Sequence, residues 1–435
     1  MQDLETLRRG GYRNAGLTEF TLRCPLATFP EEILELGDTL KMLDLCETGL
    51  ATLPATLGSA LPNLETACFT NCNFTVFPEA ALGSCPNLVS VAFQNNEMEE
   101  IPEDALCPSL VDIDLTDNCL TRLPSTIGRC VRLETCYFGG NQLQDLPPEM
   151  AQCGALRELR LSFNRLSALP PWLFELRNLT HLSFARNPYV LGISNGVHTP
   201  PADIAWSDLD VTREQISDTF RGIWHQPHHG DREVSIKLFD DLATDVHGCP
   251  AAEMEAWVAL QPCPTAARDS LPTVIGRIQG HPEEDRTTFH GGIVTEPIPD
   301  RFWLSRMIPT RRALQMLTGL ANAMAHLHAR GIAHGHVVSE CIFANTGDAH
   351  AVLGNFSSST VYGLGLPQGQ RRSIEKLEVR AFGLLIEKLR RHLDVRDEPA
   401  VWIALGGLQS LCANQPVNDR PTFARVVEWL EEMRS

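Results

Sequence analysis

Lysine is scarce in this 435-residue chain: it stands only at positions 41, 237, 376 and 388, so arginine supplies nearly all of the positive charge. Against 36 basic residues there are 54 acidic ones, a formal net charge of −18. A phosphate-backbone partner needs clustered cations, so nucleic acid is excluded from the expected partners. No run approaches the roughly 18 apolar residues that a membrane span needs, and "MQDLETLRRGGYRNAG" at the amino terminus lacks a signal-peptide core. The expectation is a soluble, cytoplasmic protein with no membrane partner. The fourteen cysteines include no CxxC pair. Scattered through so long a chain, they read as free thiols packed as small hydrophobes in a reducing compartment. A Walker A loop and a G-x-S-x-G elbow are also missing, which removes the usual signatures of P-loop and serine-hydrolase chemistry.

What is abundant is a repeat. Leu40, Leu64, Leu88, Leu110, Leu133, Leu156 and Leu179 follow one another at spacings of 24, 24, 22, 23, 23 and 23 residues. Each begins LxxLxLxxNxL or a close variant, as in "LVDIDLTDNCL" from Leu110 and "LRELRLSFNRL" from Leu156. Asn96, Asn118, Asn141, Asn164 and Asn187 hold the ninth position, with Thr48 and Cys72 in their place earlier. Period and pattern are similar to those of leucine-rich repeats. The alternating apolar residues predict short strands stacked into a right-handed solenoid over about residues 17 to 195, with one face free to bind. Candidate partner-binding residues on that concave face are Asp44, Glu65, Asp112, Asp114, Glu134, Tyr137, Arg157 and Arg160. Singly, such charges are usually just solvated. Together they suggest a protein partner carrying a basic patch.

The period stops after Asn187, and "NPYVLGISNGVHTPPADIAW" reads as an end cap and linker. The expected organisation is a repeat domain over 1–195, a linker over 196–204 and a second domain over 205–435. Within the second domain, "REVSIKLFD" alternates as a strand does. It is followed in order by "AAEMEAWVAL", "GGIVTEPIPDRFW", "ALQMLTGLANAMAHLHARGIAHGH", "AHAVLGNFSS", "EKLEVRAFGLLIEKLRRHL" and "CANQPVNDRPTFARVVEWL". This series resembles the protein kinases, and with the repeats it resembles a leucine-rich-repeat protein kinase of bacterial type. The resemblance implies a multidomain fold, α/β followed by α+β: a solenoid, then two lobes over about 205–300 and 301–435. It implies that Lys237 meets nucleotide phosphates and pairs with Glu253, or alternatively Glu255. Thr295 stands in the gatekeeper place, Glu296 to Ile298 form the hinge with the Ile298 amide facing nucleotide, and Phe343 floors the adenine pocket. Glu378 and Arg420 match acidic and basic positions of the larger lobe.

The departures decide the function. Kinase chemistry is positioning and electrostatics around Mg-ATP. His336 replaces the catalytic aspartate, Cys341 the metal-binding asparagine, Asn355 the D-F-G aspartate and Ser357 its glycine. A thiol is a poor ligand for hard Mg²⁺. The stretch that should carry the glycine-rich loop has only Gly222 and Gly230, and just 22 residues separate Asn355 from Glu378, with no A-P-E. The expectation is a pseudokinase that scaffolds or regulates, with Mg binding weak or absent and ATP retained only through Lys237. The alternative is a weak, atypical kinase in which Lys237 and Glu253 hold nucleotide and neutral His336 serves as base. The histidines at 225, 228, 229, 326, 328, 334 and 336 raise metal binding, but no cysteine or carboxylate stands at recognised ligand spacing beside them.

Overall fold

The anchoring leucines explain the first half of the molecule. All seven are buried to 1% exposure or less. Three residues after each anchor, Leu43, Ala67, Val91, Ile113, Cys136, Leu159 and Leu182 enter the same core. Between these two buried positions the chain can only be extended, and it forms strands of three residues. They are β1 Glu19–Thr21, β2 Met42–Asp44, β3 Thr66–Cys68, β4 Ser90–Ala92, β5 Asp112–Asp114, β6 Thr135–Tyr137, β7 Glu158–Arg160 and β8 His181–Ser183. They join in sequence order as one eight-stranded parallel sheet, the sheet of a leucine-rich-repeat solenoid. In the computed structural model residues 2–434 are described, except 14, 192–200, 217–218, 227–228, 241–249, 262, 282–288, 300–306 and 345–349. The chain divides into two compact units, Met1–Tyr189 and Val190–Ser435.

Eight strands stand where seven anchors were counted. The extra one, β1, belongs to "LTEFTLRCPL", in which Phe20 and Leu22 are buried. An amino-terminal helix, Leu4–Arg8, precedes it, with the Asp3 carboxylate accepting from the Thr6 amide at 2.7 Å.

Each later repeat is locked by its ninth residue. Asn141 accepts from the Leu120 amide at 3.0 Å and donates to the Leu115, Phe138 and Gly139 carbonyls at 2.9, 3.1 and 3.2 Å. Asn96, Asn118, Asn164 and Asn187 repeat this scheme. The residue before each adopts left-handed backbone, for example Asn95 at φ 53, Asp117 at φ 53 and Gly140 at φ 67. That conformation favours Asn, Asp and Gly, which most repeats supply.

The earliest repeats have poorer locks: Thr48 donates to the Leu45 carbonyl at 2.7 Å, and the Cys72 thiol reaches the same oxygen at 3.4 Å. A thiol is a weaker donor than an amide and a poor acceptor. Cys72→Asn is therefore expected to stabilise the solenoid by about 1 kcal/mol, the net worth of one added hydrogen bond. Urea melts of the two forms, followed by circular dichroism, check it; a lower midpoint for the variant refutes it.

In the second unit a six-stranded sheet runs in the order β10-β11-β12-β14-β13-β9. Its strands are β9 Ala202–Ala205, β10 Leu209–Ile216, β11 Thr219–Gln226, β12 Gly230–Asp240, β13 Val274–Gln279 and β14 Phe289–Thr295. Neighbours are antiparallel except β13 and β9. Alternation along β12 sends Val234 and Ile236 into a small core with Ile204, Leu209, Ile278 and Val294. Phe239 and Ile293 belong to a larger core built with helices. The helix Thr310–Ala329 shows the helical period, burying Ala313, Leu314, Leu317, Leu320, Ala321, Met324 and Leu327. Helices Gln368–Arg390, Pro399–Ala413 and Phe423–Glu432 complete this part. Among the described residues, no helix is long and apolar enough to cross a membrane.

Candidate functional site

The solenoid offers one candidate surface. Because the middle residue of every strand is buried, the first and third form two columns on the opposite side of the sheet. Register aligns Asp112, Thr135, Glu158 and His181 in one column and Asp114, Tyr137, Arg160 and Ser183 in the other. Asp44, Asp112, Asp114, Tyr137 and Arg160 thus stand on this face. Glu65, Glu134 and Arg157 do not: they lie one residue before their strands and pair sideways, Glu65 with Lys41 at 2.6 Å and Glu134 with Arg157 at 3.4 Å. Such half-exposed pairs add little stability. Glu158 and His181 were missed in the sequence, although counting two residues on from each anchor finds them.

Several face residues are already engaged. Burial pushes the Asp44 carboxyl up, but the pairing with Arg23 and the bonds from Cys46 together hold it below its ordinary range. Arg160 pairs with Glu158 at 2.6 Å and lies over the Tyr137 ring, 4.5 Å from its centroid. Asp114 differs. Burial pushes its carboxyl up, against the opposing bond from the Thr116 amide at 3.0 Å.

The second unit offers another site. Lys237 on β12 meets Glu253 of the helix Pro250–Ala259 at 2.6 Å, with side chains 11% and 2% exposed. One helical turn on, the Trp257 indole donates to the same carboxylate at 3.3 Å. Trp257 continues into a column of rings: it lies 4.7 Å from Phe356, which lies 4.8 Å from His334. His334 is buried, donates through Nε2 to the Gly354 carbonyl at 3.0 Å and accepts through Nδ1 from the His336 amide at 3.3 Å. Those two roles require the neutral ring, and burial pushes its pKa down to about 4.

His336 itself is half-buried and Cys341 fully buried. Asn355 adopts left-handed backbone at φ 57 and accepts from the Ser357 hydroxyl at 2.8 Å. The loop is anchored from below by Glu378, which accepts from the Gly335 amide at 2.5 Å and meets His328 Nε2 at 2.7 Å. His328, weighed in the sequence as a metal ligand, is held by this carboxylate and by the Tyr362 hydroxyl at 3.1 Å. His225 is likewise spent, between Asp231 at 2.7 Å and Asp210 at 2.8 Å, and those carboxylates raise its pKa. His228 lies outside the described residues.

Beside Lys237's strand is a cleft of about 540 Å³, within the size range of small-molecule sites. Arg221, Ile223, Ser235, Pro297, Ile298 and Pro299 are among its lining residues; Lys237 and Phe343 are not. Phe343 instead packs so closely on Gly354 that a Cβ there would meet its ring at 2.7 Å. Thr295 ends β14, 2% exposed, and its hydroxyl donates to the Glu296 carbonyl at 2.9 Å. The Glu296 carboxylate pairs with Arg232, and the Ile298 amide donates to the Ser235 hydroxyl at 2.9 Å. Ser235 was not singled out in the sequence, though it shares Lys237's side of β12 by simple alternation.

Comparison with known proteins bears on the repeats. The family described as Leucine Rich Repeat matches residues 155–176, the segment holding Leu156 and Asn164. Among solved structures, a leucine-rich-repeat protein of Leptospira interrogans is similar at 28% identity over 37% of this chain, with a TM-score of 0.32. The match spans 47% of that chain, less than half its length. No curated protein matches.

Proposed function

We propose that this leucine-rich-repeat chain is a protein-interaction scaffold whose second unit is a kinase-like domain that transfers no phosphate. The concave strand face selects a protein partner with a basic patch, drawn by Asp112 and Asp114. The second unit regulates or presents that partner, and the protein works in the cytoplasm, without nucleic acid or membrane. The kinase-like reading is supported by the chain order of the motifs and by the buried Lys237–Glu253 pair, an arrangement suited to nucleotide phosphates.

The observation that carries the loss of catalysis is the loop below that pair. His336, Cys341 and Asn355 offer no carboxylate to take a proton or to offset the charge of a metal ion. Single electrostatic groups in active sites contribute about 3 kcal/mol each, so losing three removes about six powers of ten in rate.

Full-length protein incubated with γ-labelled Mg-ATP or Mn-ATP is expected to label neither itself nor generic substrates above background. Robust transfer, abolished by Lys237→Ala or His336→Ala, would overturn this reading. The intact ion pair favours one successor: a slow kinase with His336 as base.

A further inference from the structure

The hinge segment 296–299 has a donor problem. The Glu296 amide is donated to the Thr273 carbonyl at 2.9 Å. Pro297 and Pro299 have no N–H to give. That leaves the Ile298 amide, and it is donated to the Ser235 hydroxyl at 2.9 Å, across 63 residues of sequence. Every backbone N–H of the segment is thereby absent or spent, and carbonyl oxygens are the only backbone hydrogen-bonding groups it has left.

Ser235 is held firmly in this role. It pairs with Thr295 across β12 and β14 and with Arg221 across β11 and β12, and it is 3% exposed. Its hydroxyl lies where the cleft meets the segment, since Ser235, Pro297, Ile298 and Pro299 all line the 540 Å³ space.

We propose that Ser235 determines the specificity of this cleft: its hydroxyl occupies the Ile298 amide and so turns away ligands that must accept a backbone hydrogen bond, adenine among them. The inference rests on the kinase-like reading for the choice of adenine, and on the hydrogen bond alone for the capping. A ligand entering the wild-type cleft must donate to the carbonyls or displace Ser235. Displacement leaves a buried hydroxyl and a buried amide to be satisfied afresh, which opposes binding. Alanine at this position removes the competitor and leaves the amide facing a slightly larger space.

The probe is adenosine, which lacks phosphate and so leaves Lys237 out of the measurement. It is titrated calorimetrically into the full chain, wild type and Ser235→Ala, while hydrogen exchange is followed at the Ile298 amide. Expected are slow Ile298 exchange in the wild type, faster exchange in the variant, and adenosine binding at least about tenfold tighter in the variant. Tenfold corresponds to about 1.4 kcal/mol, one recovered hydrogen bond. Fast Ile298 exchange in the wild type overturns the capping without reference to any variant, and leaves the kinase-like reading untouched. Equal adenosine affinity in both forms overturns the specificity claim. If that equality accompanies faster exchange in the variant, the capping is real and the kinase-like reading of the cleft has failed.

Discussion

Replacing Glu378 by alanine is expected to cost the second unit about 3–5 kcal/mol, the loss of two buried hydrogen bonds to a carboxylate at about 1.5–3 kcal/mol each. Glu378 is 4% exposed and holds two things at once: the Gly335 amide at 2.5 Å and the His328 imidazole at 2.7 Å. Alanine leaves both without the carboxylate and opens a cavity between the helices Thr310–Ala329 and Gln368–Arg390. Glu378→Gln keeps the shape and an acceptor for Gly335, so it should cost roughly half as much. Thermal melts of the full chain rank the three forms, and a Glu378→Ala midpoint within a degree of wild type removes the argument.

The same network predicts acid lability. Burial pushes the Glu378 carboxyl up, but His328, His334 and the Gly335 amide outweigh it and hold the group below its ordinary value of 4.5. Its stabilising contribution is therefore full above that value and is lost as pH falls through the lower folded pKa. His334 acts earlier: buried neutral with a pKa of about 4 against 6.5 when unfolded, it favours the unfolded chain progressively from pH 6.5 downward. Both contributions have the same sign, so the second unit loses stability on acidification.

How much of this could be read from residues alone differs between the two units. The solenoid was legible because one weak signal is repeated: each anchor, each inward apolar residue and each ninth-position asparagine confirms the others. β1 escaped the count because its repeat has Pro25 where the asparagine should be, although Phe20 and Leu22 keep the alternation. Which charges share the strand face was legible by counting two and four residues on from each anchor, and Glu65, Glu134 and Arg157, one residue on, fall outside it. In the second unit, the pairing of Lys237 with Glu253 came from the resemblance of "VSIK" and "AAEMEAWVAL" to protein kinases, which left Glu255 as the alternative. The Ser235–Ile298 bond was not legible, because nothing in local pattern tells a small polar residue on one strand that an amide 63 positions on will lack another acceptor. His328 shows the same limit. Its spacing within "HLHARGIAHGH" suggested metal, while its mate Glu378 comes from a helix far along the chain.

Asn141→Ala is expected to destabilise the solenoid by about 2–4 kcal/mol, more than most substitutions of a polar residue. The side chain is 6% exposed, and four hydrogen bonds join it to the backbone of its own repeat and of the one before. Alanine strands the Leu120 amide, and a buried unsatisfied group costs about 1–3 kcal/mol; it also takes one donor each from the Leu115, Phe138 and Gly139 carbonyls, which keep those of Asn118, Asn164 and Asp117. Relaxation and water entry recover part of that sum. The chain already contains a milder substitute: at Thr48 a hydroxyl donates once, to the Leu45 carbonyl at 2.7 Å. Asn141→Thr should therefore fall between wild type and alanine. Because each repeat is stabilised by contact with its neighbours, a break in a middle repeat uncouples the repeats on either side. The urea transition of Asn141→Ala should accordingly broaden as well as shift to lower midpoint, whereas Cys72→Asn should move it the other way. A sharp, unshifted transition for Asn141→Ala would mean that leucine packing alone sets the repeat and that the asparagine ladder contributes nothing measurable.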